Sequence, residues 1–231
     1  MALVALFTGM LFGLSTYLFV LGVEKAGAAK AAIAIQAYPL FAILWESLFL
    51  KRRKTPVELL LTGLLIATLY YLGTGGTFLL SGLSTWFLLC LGVPLLWSIA
   101  HVIIKEELGK TPITPAQVTF FRVAISTLFL LAVLAVEGSA ALSAGILAVP
   151  QVLSALMGLV YFLELIVWFY AVRHIDVSFA SSITTPWPAI TMVLAVPLLG
   201  DRIETYQVLA LLVVIACIYG LTLAGLRKTR A

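Results

Sequence analysis

The sequence predicts an all-α polytopic membrane protein of about eight transmembrane helices with an inverted-topology internal repeat, three helices in the first copy and five in the second. Three observations predict it. Of the 231 residues, 63% are hydrophobic and 10% charged, against about 45 to 50% and about 25% in ordinary soluble domains. Apolar windows of about 20 residues, enough at about 1.5 Å per residue to cross about 30 Å of hydrocarbon, recur along the chain. The chain also matches itself at a shift of 149 residues.

The windows run approximately 2–23, 28–50, 57–75, 85–104, 114–136, 151–173, 178–199 and 205–226. The first, MALVALFTGMLFGLSTYLF, lacks a basic leader, and its apolar run exceeds the about 7 to 15 residues of a signal core, so it reads as a retained span. Short gaps such as KRRKTP, GTGG and KTPITP carry turn and cap residues and leave no room for a soluble domain. With an even number of spans, both termini share a side. Lys51, Arg52, Arg53, Lys54, Lys105, Lys110, Arg173, Arg227, Lys228 and Arg230 fall on that side, and Lys25, Lys30 and Arg202 on the other, which makes the terminal side cytoplasmic. Tyr70, Tyr71, Trp86 and Tyr206 fit an interfacial belt or ordinary packing. The net charge of +4 is topological, since the basic residues sit in short clusters between spans and no basic, aromatic-rich segment points to nucleic acid. Cys90 and Cys217 lie in apolar runs and define no disulfide framework.

In the shifted comparison, Gly9 meets Gly158, Val23 meets Val172, Ala31 meets Ala180, Pro39 meets Pro188, Arg53 meets Arg202, Tyr70 meets Tyr219 and Gly76 meets Gly225. The match joins spans 1 to 3 with spans 6 to 8 and divides the chain into repeats at 1–76 and 85–226. Corresponding spans are five apart, and an odd number reverses a helix across the membrane. Inverted repeats of this kind recur in secondary transporters, whose substrate sites lie near the midplane between the halves. The stretches AIAIQAYPLFAILWESLFLKRRKTPVE and SSITTPWPAITMVLAVPLLGDRIETYQ both resemble the signature helix of the EamA-type drug/metabolite transporter superfamily. Each has a mid-helix proline, and the second ends in the family's Leu199, Gly200, Asp201. The first departs, with Lys51 and Arg52 where the family has glycine and an acid. WSIAHVIIKEELGKTPITPAQVTFFRVAIS resembles the sixth and seventh helices, including Arg122. The resemblance implies a ten-helix, two-unit fold of which this chain is helices three to ten, so that two helices are expected before Met1. It also implies export of small metabolites across an inner membrane.

TTPWPAI, at 184–190, interrupts a charge-free apolar window. Pro186 and Pro188 remove two backbone donors and are expected to free carbonyls near residues 182–184, which in hydrocarbon must face protein or a wet cavity. Pro39 stands at the matching depth in span 2. Paired breaks mark a transport site, although prolines also kink membrane helices simply for packing. Ser181, Ser182, Thr184 and Thr185 precede the second break, with Gln36 opposite Thr185 in the repeat; such hydroxyls either line a site or bond their own helix. Trp187, paired with Tyr38, and Trp168, paired with Phe19, lie too deep for a belt and either stack on a flat or cationic substrate or form core.

Glu164 lies mid-span in LVYFLELIVWFY, with Ser15 as its repeat partner. An intramembrane acid is costly and reads as functional, as a substrate ligand or a proton carrier, with a structural ion pair to Arg122 as the alternative. Arg122 begins about 10 Å into span 5 and can snorkel out or reach inward. His101 reads as a polar anchor near the end of span 4 or a proton relay, and Glu46 as a neutraliser of KRRK. Gly9 and Gly13, spaced GxxxG, and the small residues of 26–34 read as close packing.

An enzyme is not expected. His101 and His174 are the only histidines, and HExxH, GxSxG and P-loop patterns are absent. Cofactors and metals are accordingly expected to be none. The leading reading is a secondary transporter of small organic metabolites by alternating access, with proton coupling open; the alternative is a noncatalytic or partner-dependent membrane subunit, or a remnant of such a transporter. The single deep cation and the acid beside aromatics favour a neutral, zwitterionic or cationic substrate. Without the two expected helices, one wall of the usual cavity is open to lipid unless a second copy of the chain, as a homodimer, or another protein covers it. The charge asymmetry predicts that green fluorescent protein fused after Ala231 fluoresces and that alkaline phosphatase fused there is inactive; the opposite pattern would reverse the topology.

Overall fold

The computed structural model describes residues 2–50, 55–137, 151–175, 177–184, 187–200 and 202–229. They form ten helices: α1 (Ala2–Ala26), α2 (Ala28–Ile35), α3 (Tyr38–Leu50), α4 (Pro56–Gly73), α5 (Thr85–Lys110), α6 (Pro115–Glu137), α7 (Gln151–His174), α8 (Val177–Ile183), α9 (Trp187–Leu199) and α10 (Thr205–Thr229). A short 3-10 turn covers Leu80–Gly82, and no strand occurs among the described residues. Seven stretches are long and apolar enough to cross a membrane, one of them counted across the α2–α3 break. The eighth expected span, 178–199, is instead split into helices of 7 and 13 residues, each too short alone for the about 20 that hydrocarbon requires.

The 149-residue shift reappears in the backbone. Helices α1 and α7 begin at Ala2 and Gln151, α2 and α8 at Ala28 and Val177, α3 and α9 at Tyr38 and Trp187, and α4 and α10 at Pro56 and Thr205. Each pair of starts is separated by 149, and α3 and α9 are both 13 residues long. Matched side chains begin α4 and α10. The Glu58 carboxylate accepts from the Thr55 N–H at 2.7 Å, and the Gln207 amide oxygen accepts from the Glu204 N–H at 2.9 Å. In the first copy the Thr55 hydroxyl also accepts from the Glu58 N–H, closing a capping box ahead of Pro56. At the other end of α9, Gly200 adopts φ 69, a left-handed stop that costs glycine least.

The chain forms two compact units, Met1–Tyr17 with Ile103–Asp176, and Leu18–Val102 with Val177–Ala231. These packing units cut across the sequence repeats, because α1 and α5 each run through both. In the first unit α6 packs on α7. Gly9 and Gly13 bring α1 against α6 as the GxxxG spacing predicts: a Cβ on Gly9 would lie 2.6 Å from Ile125, and one on Gly13 2.7 Å from Phe129. The Ser126 hydroxyl donates to the Gly9 carbonyl at 3.0 Å across this close approach.

In the second unit α2 packs on α9 and α3 on α8, while α10 lies against α2, α4 and α8. Because the repeat maps α2 to α8 and α3 to α9, the first two contacts are one contact made twice. The alanines of α2 are buried, with Ala31 and Ala34 at 0% exposure, so small side chains let helix backbones approach where bulkier ones would hold them apart. Leu65, Leu69, Leu72, Phe87, Val214 and Ile218 fill the core beside them. Tyr71 near the end of α4, Phe78 in the α4–α5 connection and Tyr206 at the start of α10 cluster at ring separations of 4.8 and 6.3 Å, so two of the expected belt residues also pack.

Gly9 and Gly158 are equivalent in the repeat, yet a Cβ on Gly158 meets nothing within 4 Å. Gly9→Val is therefore expected to destabilise the purified protein by about 1 to 3 kcal/mol through overpacking and Gly158→Val by under about 0.5 kcal/mol, measured by detergent-denaturant titration.

Candidate functional site

The second unit holds the paired breaks. In the first, the Gln36 N–H donates to the Ile33 carbonyl and the Ala37 N–H to the Ala34 carbonyl, both at 3.0 Å, a tightened i to i−3 turn that ends α2. Helical bonding resumes with the Phe41 N–H to the Ala37 carbonyl at 3.1 Å. In the second break, the Trp187 N–H donates to the Thr184 carbonyl at 3.2 Å. Thr185 and Pro186 lie outside the described residues.

This geometry corrects the expected role of proline. Pro39 and Pro188 are each the second residue of a new helix, α3 and α9, where a backbone N–H has no intrahelical acceptor to lose. The prolines begin helices; they do not strip donors from one continuous helix. At the first break a tight turn holds the Gln36 and Ala37 N–H groups, and at the second the Thr184 carbonyl holds the Trp187 N–H.

Gln36 is 3% exposed, and its side-chain amide makes no hydrogen bond among the described residues. The next aromatic is well engaged. Tyr38 Oη and His101 Nδ1 share a hydrogen bond of 2.7 Å, their rings meet edge to face at 5.6 Å, and Trp97 approaches Tyr38 edge-on at 6.5 Å. Beside them the Trp45 indole donates to Ser98 Oγ at 2.9 Å. His101 is buried, which corrects its reading as an interfacial anchor. Helix α5 continues to Lys110, placing His101 about 13 Å before the helix end at about 1.5 Å per residue. Sequence reasoning passed over Trp97 and Ser98; their spacing from His101, four and three residues along one helix, was the available signal. In the second copy, Thr184 Oγ1 donates back to the Ser181 carbonyl at 2.8 Å, so that hydroxyl serves its own helix, and Trp187 is half-buried with Pro188 buried beside it.

The first unit holds the remaining candidates. Arg122, 6% exposed, reaches inward and does not snorkel: its guanidinium lies 3.7 Å from the centre of the Phe12 ring and donates from Nη2 to Tyr161 Oη at 2.9 Å. A cation over an aromatic face in a desolvated position is worth about 2 kcal/mol. Ser15 is buried and bonds the Phe12 carbonyl at 2.9 Å. Trp168 is half-buried, whereas Glu164 is exposed on α7. No ion pair joins Glu164 to Arg122, whose place beside Tyr161 and Phe12 leaves the alternative pairing unmade. Lys105 Nζ caps the end of α7 by donating to the Ile175 carbonyl at 3.1 Å. The side chain of Glu46 and the 51–54 cluster lie outside the described residues. Among the described residues no group of three or more His, Cys, Asp or Glu is placed to hold a metal ion.

The candidates thus divide into Ser15, Arg122, Glu164 and Trp168 in one unit and Gln36, Tyr38, Pro39, Thr184, Trp187 and Pro188 in the other. The EamA-like transporter family matches residues 1–74 and 84–223. The chain belongs to that family. It is an integral membrane protein of a family whose members are transporters of small molecules and not enzymes. No curated protein matches it. A solved structure titled "Crystal structure of protein" is similar over 97% of this chain and 74% of its own, with 19% identity and a TM-score of 0.59, a likeness in fold alone.

In this EamA-like chain Tyr38→Phe deletes one buried hydrogen bond between α3 and α5. It is expected to cost about 1 kcal/mol, the scale of interhelical hydrogen bonds in membranes, and to leave His101 measurably more accessible to diethylpyrocarbonate; unchanged stability and labelling would remove Tyr38 as its partner.

Proposed function

We propose that the chain is a secondary-active transporter or exporter of small organic metabolites that works by alternating access. One observation carries the reading: two helices, broken at positions 149 residues apart, cross reciprocally, α2 on α9 and α3 on α8. Broken helices at the interface of inverted repeats, here 1–76 and 85–226, build the substrate sites of many secondary transporters. The unbonded amide of Gln36 and the neighbouring Tyr38, with Thr184, Thr185 and Trp187 at the other break, suit a neutral, zwitterionic or cationic solute held by hydrogen bonds and aromatic faces. Arg122 is engaged by Phe12 and Tyr161, which argues against its serving as the receptor of a strongly anionic substrate.

Glu164 is the coupling acid. An exposed carboxylate in the middle of an apolar span is costly against hydrocarbon, so it faces a water-filled path or a second protein surface. The second of these supports the alternative reading, in which a partner or another copy of the chain covers α7, where Leu163 and Val167 are exposed on either side of the acid. The ten-to-three asymmetry of Lys and Arg supports cytoplasmic termini, and the resemblance to inner-membrane exporters supports a bacterial inner membrane.

Glu164→Gln in sealed vesicles is expected to abolish proton-linked uptake or efflux while leaving the denaturation midpoint unchanged; transport with an unaltered rate and pH profile would sink the coupling role. Gln36→Leu is expected to weaken substrate binding by about tenfold, the loss of one or two hydrogen bonds to a buried polar group, measured as apparent KM in the same vesicles.

A further inference from the structure

The three basic residues on the side opposite the termini are Lys25, Lys30 and Arg202, and two of them line one cavity. It has a volume of about 200 Å³ and is bounded by Gly27, Ala29 and Lys30 at the start of α2 and by Arg202, Glu204, Tyr206 and Gln207 at the start of α10. Both helices therefore present their positive ends to the same space. At α2, Gly27 has φ 88 and no side chain to cap with, and Ala31 is the first residue whose N–H finds an acceptor, the Gly27 carbonyl at 3.1 Å. The N–H groups of Ala28, Ala29 and Lys30 have none among the described residues, although Ala28 and Ala29 are buried.

Gln207 makes the same point independently. It is 4% exposed, and its amide oxygen is occupied by the Glu204 N–H at 2.9 Å. Its Nε2 donors are left without a partner among the described residues, on a side chain that lines the cavity. Lys30 leans over the Tyr206 ring at 5.8 Å, and neither it nor Arg202 meets a carboxylate among the described residues. Among the described residues lining the cavity Glu204 is the opposing charge, but it is exposed and its backbone is tied to Gln207. Lys30, Arg202 and Gln207 thus offer donors to one space, and such donors gain most from an acceptor that carries charge.

We propose that this cavity binds a single oxyanion, a carboxylate or phosphate group, between the N-termini of α2 and α10. Lys30, Arg202, the Gln207 amide and the free N–H groups of α2 are its ligands, the combination by which helix N-termini hold anions. The bound group comes either from a soluble acid or from the headgroup of an anionic lipid. Along α2 the cavity stands about 10 Å from Gln36, seven residues at about 1.5 Å each.

The site is tested by binding, so its failure is separable from failure of the transport reading. Full-length protein in phosphatidylcholine nanodiscs is titrated calorimetrically with succinate and with inorganic phosphate, and native mass spectrometry scores retention of phosphatidylglycerol. Saturable binding of a soluble anion, or selective lipid retention, is expected; it falls at least about tenfold in Lys30→Gln/Arg202→Gln, survives in the charge-preserving Lys30→Arg/Arg202→Lys, and is unchanged in Lys110→Gln. A response to succinate or phosphate assigns a soluble acid, and retention of phosphatidylglycerol alone assigns a lipid. No binding of any of the three probes, or binding unaffected by the double glutamine variant, overturns the proposal.

Discussion

A helix that stops within hydrocarbon leaves N–H and C=O groups that no water can reach, and each such group costs several kcal/mol if nothing else bonds it. The second unit is arranged around meeting that demand twice. A tight turn at Gln36–Ala37 and the bond from the Trp187 N–H to the Thr184 carbonyl take up part of the loose backbone, and each half-helix lies against a half-helix of the other copy. The first break is tolerated because it is buried, with Gln36 at 3% and Ala37 at 0% exposure, and the same burial sets a polar side chain deep in an apolar chain. Stability and the candidate site thus rest on one arrangement.

Two devices make that arrangement compatible with close packing. Small residues carry the contacts, as the buried alanines of α2 and the Gly9–Ile125 and Gly13–Phe129 approaches illustrate. Without a hydrophobic force between helices in lipid, close van der Waals contact and a few interhelical hydrogen bonds hold the assembly. Prolines at the second position of α3 and α9 then restart helices where a missing donor has no cost, so the sequence element that suggests a defect is a helix initiator.

Several polar side chains inside the chain find at least one partner, in different ways. His101 shares a hydrogen bond with Tyr38, Arg122 lies on Phe12 and donates to Tyr161, and Ser15 and Thr184 bond back to their own helices. The Gln36 amide makes no such bond among the described residues, and its place at a break separates it from the structural hydroxyls of Ser15 and Thr184. Glu164 differs again, by exposure on α7, so its chemistry depends on what covers that face of the helix.

By itself the sequence determined the class, the approximate bounds of seven of the eight expected spans, the repeat offset, and the GxxxG contact. These follow from local quantities: apolar length, charge between spans, and residue size at helical spacing. It marked both helix breaks through Pro39 and Pro188 but mistook their mechanism, because whether a proline kinks a helix or starts one depends on the backbone before it. Only the tertiary structure decided that His101 is buried against Tyr38, that Arg122 turns inward onto Phe12 and not toward Glu164, and that Lys30, Arg202 and Gln207 share a cavity. Those outcomes depend on which faces of distant segments meet, and near-uniform apolar composition carries little information about the facing of a helix in lipid.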